Sequence, residues 1–178
     1  SMCAGALGTD TGGSVRIPSA LCGITGLKPT YGRLSRHGIT PLSWSMDHAG
    51  PMTKTAYDSA LMMNILAGYD PLDPTSADLK TPNFSSGIET GIEGLRIGIP
   101  QEHFFDFSKD EVSDKIQNAL SVLENLGASL VNISIPDVRY VSEYHPIISQ
   151  AEASAFHEKT IETYAHDLTP NVRLRLER

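Results

Sequence analysis

An α/β fold is the class that this sequence predicts, and three observations carry it. Leu95 to Pro100 reads as a strand, Ser108 to Gly127 as an amphipathic helix and Ala128 to Ile135 as a second strand. Strand–helix–strand over that length is a βαβ unit, parallel and normally right-handed. An apolar run, Cys3-Ala4-Gly5-Ala6-Leu7, enters a glycine turn and is followed at once by a segment that Pro18 opens as a helix, where a missing N–H costs little. Thr53 to Ala67 carries a second helical stripe, Ala56, Ala60, Met63 and Leu66-Ala67.

Taken in order, Pro18-Ser19-Ala20-Leu21-Cys22 reads as a short buried helix stopped near Gly23, and Ile24 to Lys28 as a short strand. Pro29 to Arg33 is a turn. Arg33, Arg36 and His37 form a basic cluster that either meets a substrate carboxylate or neighbouring chain, or is a solvated loop paired with acids; the second reading is favoured, since most charge clusters are solvated. Trp44, the only tryptophan, either walls an acyl pocket or is a half-buried core aromatic. Thr55 suits an N-cap with Asp58 in the first turn, and Gly68 a C-cap. Residues 70–94 are rich in Pro, Asp, Ser, Thr and Gly and read as a surface linker within one domain. Phe104, Phe105 and Phe107 follow as an aromatic cluster that covers a pocket or partner surface, or anchors its loop.

Ser108 and Glu111 make a capping-box pattern. Val112, Ile116, Ala119, Leu120, Leu123 and Leu126 form the apolar stripe, with Gly127 at its end. Ile147 to Ala165 reads as a helix with Glu152, Glu158 and Glu162 on polar positions, and Asn171 to Arg178 begins another. His145, His157 and His166 are expected to face solvent.

The chemistry concentrates in Gly8-Thr9-Asp10-Thr11-Gly12-Gly13-Ser14-Val15-Arg16-Ile17-Pro18. Gly12 and Gly13 remove side-chain bulk and permit positive φ. Amides from Thr11 to Ser14 can then converge on one point as an anion-binding nest. A serine at the edge of such a nest unites a nucleophile with donors aimed at a developing oxyanion. A phosphate-binding loop would use the same nest, but neither the Gly-Lys-Ser/Thr of a P-loop nor G-x-G-x-x-G is present.

The run GTDTGGSVRIPSALCGITGLKPTYG, Gly8 to Gly32, closely resembles the serine half of the amidase signature family. The resemblance continues through Gly38-Ile39-Thr40-Pro41, Ser45 to Thr53 and Leu66-Ala67-Gly68-Tyr69-Asp70-Pro71, and more loosely beyond Ser76. It implies a mixed β-sheet flanked by helices, present here as a truncated portion: a partial amidase domain over 1–178, with the nucleophile core at 8–53, the linker at 70–94 and the βαβ and helical portion at 95–178. It implies amide hydrolysis through a Ser–cis-Ser–Lys triad, with Ser14 as nucleophile, the backbone N–H groups of Thr11, Gly12, Gly13 and Ser14 as oxyanion hole, and Asp10 and Arg16 holding the loop. No cofactor and no metal are expected.

In the family the lysine and the cis-serine lie upstream of the nucleophile. Thirteen residues precede Ser14 and none matches either motif; Ser1-Met2 reads as a scar or false start rather than fold. The chain is therefore expected to be an internal fragment, inactive by itself. Lys28 is not expected to replace the base, which would require reach and a lowered pKa. Asp47-His48 does not complete a serine triad, because adjacent residues on a strand point to opposite faces. His48 is expected to be a hydrogen-bonded structural residue. The segment from Pro41 to His48 resembles stand-alone amidases more than the alternative within the family, the A subunit of a glutamyl-tRNA(Gln) amidotransferase, which works as a glutaminase. A non-catalytic structural or interaction fragment remains open beside both.

A formal net charge of −7 over 178 residues argues against a general nucleic-acid or anionic-membrane binder. No stretch approaches the roughly 18 apolar residues of a spanning helix. Cys3 and Cys22 lack metal-ligand spacing and a disulfide framework, which points to the cytoplasm with both thiols as small core residues. The expected partners are a small carboxamide substrate and, through unpaired sheet edges, a second copy of the chain.

Overall fold

The computed structural model describes residues 3–106 and 108–177. The readings of Ser1-Met2, Phe107 and Arg178 lie outside the described residues. Two compact units emerge, Ser1–Ser86 with His145–Arg178, and Gly87–Tyr144.

In the first unit the apolar run becomes β1, Gly5–Asp10. After the glycine turn comes α1, Arg16–Cys22, then β2, Thr25–Gly26, and β3, His48–Thr53. The order β1-β3-β2 is antiparallel throughout, and β1 registers Gly8 on Gly50 and Asp10 on His48. β2 is shorter than the expected strand: Leu27 still donates to Pro51 O at 3.0 Å, but Lys28 turns away toward Asp10. Helix α2, Ala56–Leu66, starts at Thr55, whose Oγ1 accepts the Asp58 amide at 3.1 Å and donates to Asp58 Oδ2 at 2.8 Å. Its C-cap is Ala67, in an extended conformation, rather than Gly68. Ser59, Ala60 and Met63 are its buried face, while Ala56 stays exposed. Leu34, Ala49 and Met63 form the core, packed by Leu27, Ile39, Ala67 and Phe84.

Helix α1 is not buried as expected. Only Ser19 is buried, Leu21 is 83% exposed, and Cys22 is exposed, as is Cys3. Seven residues make about two turns, and one face of them is all that the sheet covers. The stretch read as a single linker, 70–94, divides. Asn64 accepts the Phe84 amide at 2.7 Å, and Asp73 accepts the Arg36 amide at 2.7 Å; these side chains bind residues up to Ser86 into the first unit.

The second unit realises the βαβ reading. Strand β4, Arg96–Pro100, and β5, Ser129–Ile133, pair in parallel, with α3, Asp110–Asn125, between them in the chain. Gly127, at φ +95°, terminates the helix as expected. Lys109 occupies the N-cap, without a side-chain bond, because Ser108 Oγ donates to Phe104 O at 3.0 Å instead. Ile116, Leu120 and Leu123 are half-buried; Val112, Ala119 and Leu126 are exposed. Phe104 is half-exposed and meets His103 edge to face. Antiparallel and parallel pairing thus fall in two sheets among the described residues.

Helix α4, Val141–Tyr164, begins before the expected start and runs through Pro146. Helix α5 is Pro170–Leu176. Ser154 Oγ of α4 donates to Leu176 O at 2.6 Å and Leu176 is buried, so the end of α5 is fixed on α4.

Candidate functional site

The turn between β1 and α1 is held by one buried carboxylate. Asp10 ends β1 and accepts the amides of Gly13 (2.9 Å), Val15 (3.2 Å) and Arg16 (3.3 Å). Arg16 adds a fork, Nε and Nη2 each at 3.0 Å, and Lys28 Nζ lies 3.1 Å from Oδ1. Burial opposes ionisation of Asp10. The hydrogen bonds of Arg16 and Lys28 and the amides of Val15 and Arg16 outweigh it, and the carboxyl is held far below the usual carboxylate range.

Local sequence permits this wrapping. Gly13 has φ +134°, and a Cβ there would lie 2.5 Å from Ile17 Cδ1. A Cβ on Gly12 would lie 2.6 Å from His145 Cε1. Val15 is fully buried and is the side chain that Cβ atoms at Gly8 and Gly50 would approach. These two glycines of the sheet thus make room for the residue after Ser14, and Ser14 itself is exposed.

Of the four amides expected to serve as oxyanion donors, that of Gly13 donates to Asp10. Those of Thr11, Gly12 and Ser14 have no acceptor among the described residues.

Thr11 is fixed at both ends. Its carbonyl accepts Lys28 Nζ at 3.2 Å and His145 Nε2–H at 3.4 Å. Its hydroxyl donates to Asp47 Oδ1. Asp47, buried, also accepts the amides of Leu42 (2.7 Å) and Ser43 (2.9 Å). The Lys28 ammonium is engaged by Asp10 and the Thr11 carbonyl and so braces the loop. His48 donates from Nδ1 to Met46 O at 2.7 Å and meets Tyr31 edge to face. Burial lowers its pKa against the raising effect of that bond. Asp47 and His48 therefore face separate partners.

Ser14 opens on a cleft of about 350 Å³ lined with Thr11, Gly12, Leu42 and, from α4 and α5, His145, Gln150 and Arg175 among others. The expectation that His145 and His157 face solvent is corrected. His145 lies on the glycine turn, and His157 donates from Nε2 to Pro41 O at 2.8 Å. His166 is exposed.

Trp44 is not brought to this cleft. It is 45% exposed and lines a separate cavity of about 370 Å³ with Arg36, Pro41, Leu72 and Phe156. Its carbonyl accepts Tyr31 Oη (2.5 Å) and Arg36 Nη1 (2.9 Å). Arg36 is not the solvated, acid-paired side chain expected: its guanidinium also reaches Asp47 O and Thr75 Oγ1 and stacks 4.7 Å from the Tyr31 ring centroid.

Glu152, read only as a polar position, clasps the loop before Asp47. It accepts Ser43 Oγ (2.5 Å), Ser45 Oγ (2.6 Å) and the Ser45 amide (3.1 Å). Burial raises its pKa, but these bonds prevail and the net shift is downward. Glu152→Ala is expected to lower stability by about 1–3 kcal/mol, seen as a lower urea midpoint at unchanged slope. In the sequence Asp47, Glu152 and His145 read only as a rejected triad member, a polar helix position and a solvent-facing residue, and Arg175 is not read at all. The pairs Asp47–Thr11, Glu152–Ser43 and His145–Thr11 are 36, 109 and 134 residues apart, and no local spacing signals such pairings.

Edge strand, glycine turn, exposed serine and short helix, locked by the strand's last carboxylate, define a serine-loop protein of the α/β class. The Amidase family model matches residues 1–177, and the chain belongs to the amidase signature family. It is 47% identical over 152 residues to the A subunit of the glutamyl-tRNA(Gln) amidotransferase of Desulfotalea psychrophila, covering 85% of this chain and 31% of that protein. It is 44% identical over 173 residues to an amidase of Pseudomonas putida, covering 97% and 37%. The crystal structure of the glutamyl-tRNA(Gln) amidotransferase A subunit from Thermotoga maritima superposes with a TM-score of 0.82 at 37% identity, over 98% of this chain and 36% of that one. The chain thus spans about a third of the length of these relatives. No helix among the described residues is long and apolar enough to cross a membrane.

Proposed function

We propose that the protein carrying this chain hydrolyses a small carboxamide, with Ser14 as nucleophile. The observation that carries the reading is an exposed serine on a turn whose shape is fixed by the buried Asp10, with three uncommitted amides beside it. Ser14 Oγ attacks the amide carbonyl carbon and the C–O bond forms. The amides of Thr11, Gly12 and Ser14 receive the oxyanion; fixed donors of this kind stabilise charge that develops only in the transition state. Collapse breaks the C–N bond, ammonia or an amine leaves with a proton, and water hydrolyses the acyl-serine.

In the Ser–cis-Ser–Lys scheme that the family resemblance implies, the Ser14 proton passes through a bridging serine to a neutral lysine. Among the described residues no lysine lines this cleft; the serine that lines it beside Ser14, Ser149, donates to Pro146 O within α4, and Lys28 is committed to Asp10 and Thr11. Under this reading the residues of the turn contribute the nucleophile and the oxyanion amides.

A fluorophosphonate is expected to label the full-length protein stoichiometrically on Ser14, read by intact mass and peptide mapping, and Ser14→Ala to abolish both label and turnover. Turnover that survives Ser14→Ala would end the reading. The similarity to the glutamyl-tRNA(Gln) amidotransferase relatives supports a second reading of the same site as a glutaminase that releases ammonia. Under that reading glutamine is the preferred amide in direct competition.

A further inference from the structure

We propose that Glu152 is a positioning residue for the turn that carries Ser14, acting through Ser43, Asp47 and Thr11. The inference rests on the reading of Ser14 as nucleophile and adds a residue that aims its donors.

The bonds of Glu152 end on the loop from Pro41 to Asp47, one step from the turn. Its Oε2 accepts Ser43 Oγ at 2.5 Å and the Ser45 amide at 3.1 Å, and its Oε1 accepts Ser45 Oγ at 2.6 Å. Ser43 is fully buried and passes the constraint on. Its amide donates to Asp47 Oδ2 at 2.9 Å, and its carbonyl accepts the Asp47 amide at 2.8 Å. The other Asp47 oxygen, Oδ1, accepts the Thr11 hydroxyl. Both carboxylates are thus engaged at both oxygens, in the charge-assisted kind of hydrogen bond that is the stronger one. The same helix, α4, also holds the start of the loop, where His157 Nε2 donates to Pro41 O at 2.8 Å.

The consequence falls on one peptide. The Thr11 carbonyl and the Gly12 N–H belong to a single planar, trans unit. Lys28 Nζ holds the carbonyl oxygen at 3.2 Å and Asp47 holds the hydroxyl of the same residue. With the oxygen tied down, the Gly12 N–H points the opposite way, and it is one of the donors assigned to the oxyanion. A hydrogen bond weakens steeply once its donor is misaimed, and fixed donors work only where they already point at the developing charge. Slack introduced at Ser43 therefore reaches Gly12 through Asp47 and Thr11, although Glu152 itself stands back from the reacting atoms.

A fluorophosphonate, applied to the full-length protein, reads this out as a maximal labelling rate of Ser14 and a half-saturating probe concentration. Glu152→Ala is expected to lower the rate by roughly tenfold to a hundredfold and to leave the concentration within about twofold. Glu152→Gln keeps an acceptor oxygen for Ser43 and is expected to stay within about threefold of the wild-type rate. Thr55→Ala removes the cap of α2 instead, costs stability for a reason remote from this loop, and is expected to label at the wild-type rate. A wild-type rate in folded Glu152→Ala overturns the proposal, and so does a loss in Thr55→Ala as large as that in Glu152→Ala.

Thr11→Val, which removes the hydroxyl at nearly constant volume, tests the route. In that background Glu152→Ala is expected to cost no more than about threefold, because residues that act through one another are not additive; an undiminished loss overturns the route through Thr11. A crystal structure of full-length Glu152→Ala judges the same route without the chemistry. The Thr11 hydroxyl is expected to have left Asp47, or the Thr11–Gly12 peptide to have turned. Both unchanged would end the proposal even where Ser14 proves to be the nucleophile. Should Ser14→Ala retain turnover, the reading of the nucleophile fails while this comparison still decides whether Glu152 holds the turn. Where Glu152→Ala does not fold, Ser43→Ala, which cuts only the Ser43 link, takes its place with the same expected and contrary results.

Discussion

Asp10→Ala is expected to destabilise the first unit by about 3–5 kcal/mol, the range for removing one partner of a buried charge cluster. Three amides, a guanidinium and an ammonium converge on this carboxylate; alanine removes the acceptor of the first four and leaves the ammonium with the Thr11 carbonyl. Its partners are worth less individually. The Arg16 side chain is 52% exposed, so water replaces much of what Arg16→Ala removes, and about 1 kcal/mol is expected there. Equilibrium urea unfolding of the two variants gives the comparison. A loss at Asp10 no greater than that at Arg16 would mean that the carboxylate does not organise the turn.

The pH dependence follows from the same bonds. The folded state holds the Asp10 carboxyl far below its unfolded value of about 3.9. Between the two values the unfolded chain binds the proton and the folded one does not, so stability rises with pH. The stabilisation is fully present above the unfolded value and drains as pH falls below it toward the folded one. Asp10→Asn is expected to be less stable at neutral pH and to lack this part of the acid slope.

The parts of this chain that were legible in its sequence are those with a local cause. Thr55 and Asp58 are three residues apart and cap their helix by contact. The βαβ unit follows from two apolar runs around an amphipathic stripe, and Gly13 and Gly127 need conformations that glycine supplies. Illegible parts depend on distant partners. Pro146 reads as a helix breaker, yet α4 continues through it. Glu152 looks like any solvated helix glutamate until Ser43 and Ser45 come to it across more than a hundred residues. Cys22 follows an apolar pattern, but α1 is too short and too shallowly covered to bury it. Ser14, the proposed nucleophile, was legible as a motif. The His145 and Arg175 side of its cleft was not, because a lone histidine and a lone arginine on helices have no spacing to be read.

Gly50→Ala is expected to lower stability by about 3 kcal/mol, at the upper end of the cost of overpacking. Gly50 lies in the central strand, β3, opposite Gly8 of β1 and beside the chain that continues from β2. A Cβ there would overlap the Leu27 carbonyl oxygen and come within 3.5 Å of Val15 Cγ2. The first of these is backbone, and Leu27 is tied to Pro51 through its own amide, so relief requires the β2 side of the sheet to move. The second is the residue after Ser14, so relief on that side shifts the turn that carries Ser14. A methyl at Gly23, despite a φ of +63°, meets nothing within 4 Å, and Gly23→Ala is expected to cost only about 1 kcal/mol through backbone strain. Fluorophosphonate labelling of Ser14 should weaken in the Gly50 variant even where it remains folded, and should persist in the Gly23 variant. Equal labelling of the two would mean that the glycine slot of the sheet does not set the position of Ser14, and that the Asp10 bonds suffice.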